Sequence, residues 1–378
     1  MDSVFIIGIF LSFFLQFLLF TKKEKTFSDK ILGIWMFIIG LHLFSYFTYY
    51  LGYWDKYPHL VGVTLPFPLL HGPMLFLYTA FSLRSDQKLR RYDYLHFLPF
   101  VLTYFYMLPF FFTYSAERKV LVNNGQVDDY LGFMYFSLTI FIISGIVYPI
   151  VSYRLVNKHH KMISENFSYD EYISLNWLKY CIWGIGVIYL SVLVFAILEQ
   201  VIGLTFPFSS DLITYILVVL FVFFLGYFGI RHHGLFTEGS SVNRIIVEPK
   251  PQGEYKKSGL KQEVAETFHE KLLKLMNDKK PYLEPKLTLN NLAEELQVSI
   301  NHLSQIINQF QEKNFYDFIN EYRVEEFKNR VAKSENRNFS ILAIAFDSGF
   351  NSKSSFNSVF KKHTGITPSE YMTESKTV

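Results

Sequence analysis

Seven apolar stretches fill the first 230 residues of the chain, and they constrain its fold more than any other feature. They run over residues 4–20, 31–53, 60–82, 95–114, 131–153, 177–199 and 212–230. Each is close to the roughly 20 residues that a helix needs to cross a bilayer. Half of the 378 residues are hydrophobic, and the 41 Phe and 26 Tyr are unusual for a soluble protein. The pattern predicts an all-α fold that begins with a seven-transmembrane-helix bundle over residues 1–230.

Basic residues between these stretches predict how the bundle is oriented. They concentrate in the first, third and fifth loops, at Lys22, Lys23, Lys25, Lys30, Arg84, Lys88, Arg90, Arg91, Arg154, Lys158 and Lys161. The even-numbered loops contain only Lys56, Arg118 and Lys119. Because basic loops stay in the cytoplasm, the N-terminus is predicted outside and the segment after residue 230 in the cytoplasm. The chain is therefore predicted to be a multi-pass protein of the cytoplasmic (inner) membrane.

A few polar residues fall inside the apolar stretches, where they are costly. His71 lies beside Gly72 and Pro73 in the third stretch, and Glu199 ends the sixth. Ionisable groups at such depth often mark a ligand or signal site, so both residues are candidates for one. The alternatives are that His71 bonds a neighbouring backbone carbonyl and that Glu199 lies at the outer surface.

The pattern changes after the last apolar stretch. Residues 231–257 lose their apolar periodicity and contain Gly, Ser and Pro clusters, which predicts a linker. Residues 258–285 follow as a predicted connecting helix with its helical part from Gly259 to Asp278. Its apolar stripe consists of Leu260, Val264, Phe268, Leu272 and Leu275. This stripe predicts packing either on the domain that follows or on a second copy of the chain.

Two helix pairs of similar design lie near the C-terminus. In residues 289–310, Ser299 is the expected N-cap of the second helix, which turns Asn301, Gln305 and Asn308 away from its apolar face. In residues 341–362, Gly349 allows the turn, and the second helix has a polar face of Ser354, Asn357, Ser358 and Lys361. Side chains of these types can bond base edges or phosphates. Both pairs are predicted helix-turn-helix units, joined by a helix over residues 315–333.

Residues 287–371 resemble the DNA-binding domain of the AraC family of transcription regulators. The resemblance lies in LAEEL, HLSQIIN, NEYRVEEFKNR and IAFDSGFNSKSSFNSVFKKHTGITPSEY, with their order and spacing. It implies a cytoplasmic AraC-like domain of two helix-turn-helix units over residues 286–373. It also implies DNA contacts at Asn301, Ser304, Gln305, Lys353, Ser354, Asn357 and Ser358, to which the helical wheel adds Asn308 and Lys361. The positions of Gln305 and Ser358 lack the Arg common in the family, which leaves the base preference open.

Together these features predict a membrane-bound, sequence-specific DNA-binding transcription regulator that acts as a one-component sensor. Its expected partners are promoter DNA, the lipid bilayer, a second copy of the chain, and a ligand or membrane protein of unknown chemistry. Two alternatives remain: a transporter or enzyme with an appended regulatory domain, and a membrane domain that is only a passive anchor. The sequence contains no nucleophile elbow, P-loop, dinucleotide fingerprint or clustered metal ligands. No enzyme activity, cofactor or metal site is therefore predicted.

Overall fold

The computed structural model describes residues 2–84, 88–169, 176–231, 262–333 and 339–376. These residues are helical almost throughout, and no β-strand occurs among them. The described ranges contain an isolated antiparallel β-bridge between Phe167 and Thr288. The fold is all-α, as the apolar pattern and helical periodicity predict.

The chain divides into two compact units. The first consists of residues 1–156 and 176–243, and the second of residues 157–175 and 244–378. The helices that begin in the first unit are α1 (Asp2–Thr21), α2 (Phe27–Tyr50), α3 (Tyr53–Lys56), α4 (Pro68–Leu83), α5 (Leu98–Thr113), α6 (Ala116–Asn123), α7 (Leu131–Asn166), α8 (Asn176–Ala196) and α9 (Ser210–Arg231). The long helix α7 contributes its residues after Val156 to the second unit.

Six helices in the described part of the chain are long and apolar enough to cross a membrane, judged by length and composition. Their outer faces carry large apolar side chains such as Phe112, which is 82% exposed. Such surfaces fit a membrane-embedded segment, because exposed aromatic faces of this extent are costly in water.

The third predicted span does not form as one long helix. A 3₁₀ turn at Pro58–Leu60 and further turns precede α4, which begins at Pro68 and has 16 residues. Proline lacks a backbone N–H and so removes a helical hydrogen bond, which means that Pro66 and Pro68 together oppose a helix that runs through them from residue 60. The prediction of a continuous span over residues 60–82 is therefore wrong in its first part.

The described residues of the second unit form seven further helices. They are α10 (Gln262–Asp278), α11 (Leu289–Leu296), α12 (Ile300–Gln311), α13 (Phe315–Val331), α14 (Ile341–Asp347), α15 (Lys353–Thr364) and α16 (Pro368–Lys376). A 3₁₀ turn at Pro281–Leu283 connects α10 to α11. The predicted linker lies outside the described residues, apart from Arg231 at the end of α9.

The connecting helix α10 packs on the first helix-turn-helix unit. Ala265, Leu272 and Met276 are buried in one apolar core with residues of α11, α12 and α13. The packing face is rotated from the predicted stripe, since Val264 is 41% exposed. Leu260 lies outside the described residues. Packing on the following domain and packing on a second copy of the chain were the two predicted modes, and the structure contains the first.

Helix α13 belongs to two apolar cores. Its first half contributes Phe315 and Phe318 to the core of the first helix-turn-helix unit. Its second half contributes Val324 and Phe327 to the core of the second unit, where the Phe327 and Phe356 rings lie 4.8 Å apart. Because one rigid helix is shared, the two units are held together by side-chain packing as well as by chain connectivity.

Candidate nucleic-acid interface

The second helix-turn-helix unit presents an open polar face on α15. Ser352 caps this helix by accepting a hydrogen bond from the Ser355 N–H at 3.2 Å. The opposite, apolar side of α15 is buried among Phe residues of the core. The exposed side consists of Lys353, Ser354, Asn357, Ser358 and Lys361. The five residues predicted to contact DNA from this helix therefore share one solvent-facing surface.

The turn that precedes α15 is determined by a single glycine. Gly349 has φ +94°, a conformation that residues with a Cβ rarely adopt. A Cβ at this position would also lie 2.2 Å from the Tyr282 carbonyl oxygen. The turn is thus packed directly against the backbone before α11.

The first unit differs from the prediction at its recognition helix α12. Ser299 caps the helix through the His302 N–H at 3.2 Å, and Asn301 is exposed. Gln305, however, is only 7% exposed, and Asn308 is half-buried. The prediction that both side chains point freely outward is wrong.

The end of α7 contacts this polar side of α12. Nδ2 of Asn308 donates a hydrogen bond of 3.3 Å to a carboxylate oxygen of Glu165. At 100° per residue, Gln305 lies about 200° around α12 from the core residue Leu303, so the first-unit core cannot be what covers it. The contact with Glu165 shows which element lies on this polar face.

The two recognition helices are held apart by α13. Asn314 caps α13 through the Asp317 N–H at 2.8 Å. Its 17 residues span about 26 Å at 1.5 Å per residue. One turn of DNA is about 34 Å. A helix of this length suits two recognition helices in successive major grooves.

The family described as "Helix-turn-helix domain" matches residues 292–374. These residues are an AraC-type helix-turn-helix domain. The match confirms the resemblance that the sequence motifs carry. No curated protein and no solved structure matches the chain.

Within the AraC-type domain, Arg323 is a charged residue at the centre of the packing. Its side chain is 1% exposed, and burial lowers the pKa of its guanidinium to about 9. All five of its N–H groups have acceptors. Nε donates to the Tyr282 carbonyl, Nη1 to the Ser168 carbonyl and the Asn320 side-chain oxygen, and Nη2 to Oγ of Ser168 and the Glu284 carbonyl. The charged guanidinium is therefore stabilised by oriented dipoles.

Ser168 supplies two of these five acceptors from a distant part of the chain. It is fully buried, and both its N–H and its Oγ donate to the Leu287 carbonyl, at 3.2 and 2.8 Å. Its carbonyl also accepts from Nδ2 of Asn320 at 3.1 Å. The sequence pattern did not single out Arg323 or Ser168. The available signal was an Arg four residues after the core residue Ile319, on the apolar side of a predicted helix.

The proposed signal residue His71 lies in a chain of hydrogen bonds in the first unit. Trp35 donates to Nδ1 of His71 at 3.2 Å, and Nε2 of His71 lies 3.2 Å from Nδ1 of His42. The Tyr215 hydroxyl lies 2.8 Å from Nε2 of His42. Glu199 lies apart, in the π-helical turn Ile197–Val201 after α8, and no hydrogen bond among the described residues connects it to His71.

The donors in this chain can be assigned by elimination. Trp has only a donor, so Nδ1 of His71 accepts and its proton lies on Nε2. That proton is donated to Nδ1 of His42, which leaves the His42 proton on Nε2, directed at the Tyr215 oxygen. If Nδ1 of His42 instead donated to Nε2 of His71, both ring nitrogens of His71 would be acceptors and the ring would carry no proton. Both imidazoles are therefore neutral in this arrangement.

Proposed function

We propose that the chain is a membrane-bound, sequence-specific DNA-binding transcription regulator. The observation that carries the proposal is the exposed polar face of α15 within an AraC-type helix-turn-helix domain. Amide and hydroxyl side chains bond base edges, and Lys residues bond phosphates. A face that combines both types of side chain, opposite a tightly packed aromatic core, fits insertion into a major groove.

The proposed contacts divide by their chemistry. Asn357, Ser354 and Ser358 on α15 are placed to bond bases, and Lys353 and Lys361 to bond phosphates. On α12, the corresponding polar residues are Asn301, Ser304, Gln305 and Asn308. Since α13 is packed into both cores, the two helices act as one reading surface rather than as separate modules.

The N-terminal part is proposed to hold this domain at the cytoplasmic side of the membrane. Support comes from the six long apolar helices and from the excess of basic residues in alternate loops. The division into a transmembrane domain at 1–230, a linker at 231–257, a connecting helix at 258–285 and a DNA-binding domain at 286–373 belongs to this proposal. The bilayer is accordingly a partner, and a second copy of the chain is proposed as another.

The membrane part is further proposed to sense a signal at His71, with Glu199 as a second candidate residue. The support is the neutral His71–His42 pair, which is bonded at both ends by Trp35 and Tyr215. Each histidine in this chain donates at one ring nitrogen and accepts at the other, so a ligand that takes the place of Trp35 or Tyr215 acts on both rings through the bond between them. A passive anchor has no need of such a chain.

Genome-wide occupancy of the full-length protein in its native host, by crosslinking and sequencing, tests the DNA-binding proposal. The double variant Gln305→Ala, Asn357→Ala is compared with Asn277→Ala, which removes an exposed Asn from α10 outside the AraC-type domain. Discrete peaks that persist in the control and disappear in the double variant are the expected result. Peaks that survive in the double variant contradict the assigned reading residues, and a flat profile for every protein contradicts sequence-specific binding.

A further inference from the structure

We propose that residues 157–169, termed here the docked segment, compete with DNA for the polar face of α12. This inference rests on the proposed DNA-binding function and adds a mode of control to it. In the docked arrangement the first recognition helix is occupied by its own chain. Release of the segment is then what makes the first helix-turn-helix unit available to DNA.

The docking site is built for this segment. Two of the five Arg323 N–H groups have Ser168 as their acceptor, and Asn320 and the Leu287 carbonyl also bond the same serine. Ser168 and Asn320 are fully buried. Buried donors are nearly always satisfied in native proteins, so a docking site that makes five separate hydrogen bonds with one residue is a specific recognition site.

The docked segment also has an apolar cluster of its own. It consists of Ile163, Phe167 and Tyr169, with the Phe167 and Tyr169 rings 5.8 Å apart. The bridge from Phe167 to Thr288 fixes its register at the N-cap of α11. The segment is therefore held on the domain by backbone pairing and by the Ser168 bonds together.

The docked segment also lies where DNA is proposed to bind. Glu165 bonds Asn308, and Gln305 on the same side of α12 is buried. A carboxylate at this position repels phosphates, and a DNA major groove cannot reach side chains that another element covers. Docking and DNA contact through α12 are therefore mutually exclusive, whereas α15 stays exposed in the docked state.

The docked segment also continues a long helix. Helix α7 runs as one helix from Leu131 to Asn166, with Pro149 inside its predicted membrane span of residues 131–153. A rotation or shift of that span moves Glu165 and Ser168 relative to their partners, since a helix transmits such motions along its axis. A membrane signal then reaches α12 through α7, without passing through the linker of residues 231–257.

The test measures DNA affinity of the full-length protein in lipid nanodiscs, with a fluorescently labelled random-sequence duplex at low salt. Glu165→Ala removes the carboxylate, and Ser168→Tyr is too large for the buried site. Ser164→Ala is the matched control, because Oγ of Ser164 bonds only the Lys161 carbonyl within its own helix. We expect both release variants to bind about tenfold more tightly than the wild type, within the usual range of coupling between two sites, and the control to bind like the wild type.

A second readout tests docking without DNA. In a Cys181→Ala background, the thiol introduced by Asn308→Cys is labelled with a maleimide in the presence and absence of Ser168→Tyr. Slow labelling that becomes several-fold faster in the release variant supports docking. Equal labelling rates overturn the inference, as does equal DNA affinity of wild type and release variants, and either result leaves the DNA-binding proposal intact. Normal docking in the labelling assay with no DNA binding by any variant overturns the proposed function and the competition with it.

Discussion

Ser168 and Arg323 lie 155 positions apart in the chain, yet Nη2 of Arg323 donates a hydrogen bond of 3.0 Å to Oγ of Ser168. Both residues are buried. The same guanidinium bonds the Ser168 carbonyl at 2.7 Å. This pair joins the chain that follows α7 to α13, the helix shared by both helix-turn-helix units. Arg323 therefore contributes both to the stability of the domain and to the proposed docking of Ser168.

Replacing Arg323 with Lys is expected to destabilise the AraC-type domain although it keeps the charge. A lysine ammonium has three donors in place of five, so at least two buried acceptors lose their partners. We expect the free energy of unfolding to fall by roughly 2 to 5 kcal/mol. The measurement is proteolysis of the domain in purified full-length protein across a denaturant series.

Arg330→Lys provides the control for this substitution. Arg330 bonds Glu326 on the more exposed side of the same helix, at 2.9 Å, and Lys can keep that ion pair. Its effect is expected within about 0.5 kcal/mol. Equal effects of the two substitutions would mean that the buried bonds of Arg323 contribute little.

Gly349→Ala is expected to be more damaging than Gly365→Ala. Both glycines have positive φ, +94° and +81°, so both alanines are strained by roughly 1 kcal/mol or more. Only at Gly349 does the new Cβ also meet a backbone oxygen at 2.2 Å, whereas nothing lies within 4 Å at Gly365. We expect Gly349→Ala to cost at least about 2 kcal/mol more in the same proteolysis assay. A smaller difference would show that the contact with the Tyr282 carbonyl relaxes easily.

Asn357→Ala and Lys361→Ala are expected to weaken DNA binding in different ways. Loss of a base-bonding amide lowers discrimination between sites by roughly 1 to 3 kcal/mol. Loss of a phosphate contact weakens binding to all sequences and reduces the salt slope by about 1. Titrations of a bound genomic site and of a scrambled duplex at several salt concentrations separate the two effects. Identical salt slopes for Lys361→Ala and the wild type would exclude the phosphate contact.

His71→Ala is expected to destabilise the first unit. The substitution removes the acceptor of the Trp35 N–H and the donor to His42, and orphaned buried polar groups each cost about 1 to 3 kcal/mol. Thermal aggregation of the detergent-solubilised protein measures the loss. His59→Ala, at an exposed histidine in the 3₁₀ turn, is the control and is expected to have little effect. If both variants aggregate at the wild-type temperature, the hydrogen-bond chain does not contribute to stability.

The sequence was sufficient for features that depend on local chemistry. Apolar runs predict long helices because burying or embedding them is favourable wherever they lie. Ser299 and Ser352 predict helix starts because a cap bonds an N–H only three residues away. The motif order around Gly349 was enough to indicate an AraC-type domain before any contact was known. Where local signals compete, as at Pro66 and Pro68, the apolar pattern alone overestimated the helix.

The tertiary structure decided which polar residues are open and which are covered. Gln305 and Asn357 occupy similar positions on two amphipathic helices, and the pattern alone assigns both to solvent. Asn357 is exposed, whereas Gln305 is buried on the face where Asn308 meets Glu165, a residue 143 positions away. Periodicity reports which side of a helix is polar, but not what packs against that side. Burial at such a face depends on long-range complementarity, and that is a property of the folded chain alone.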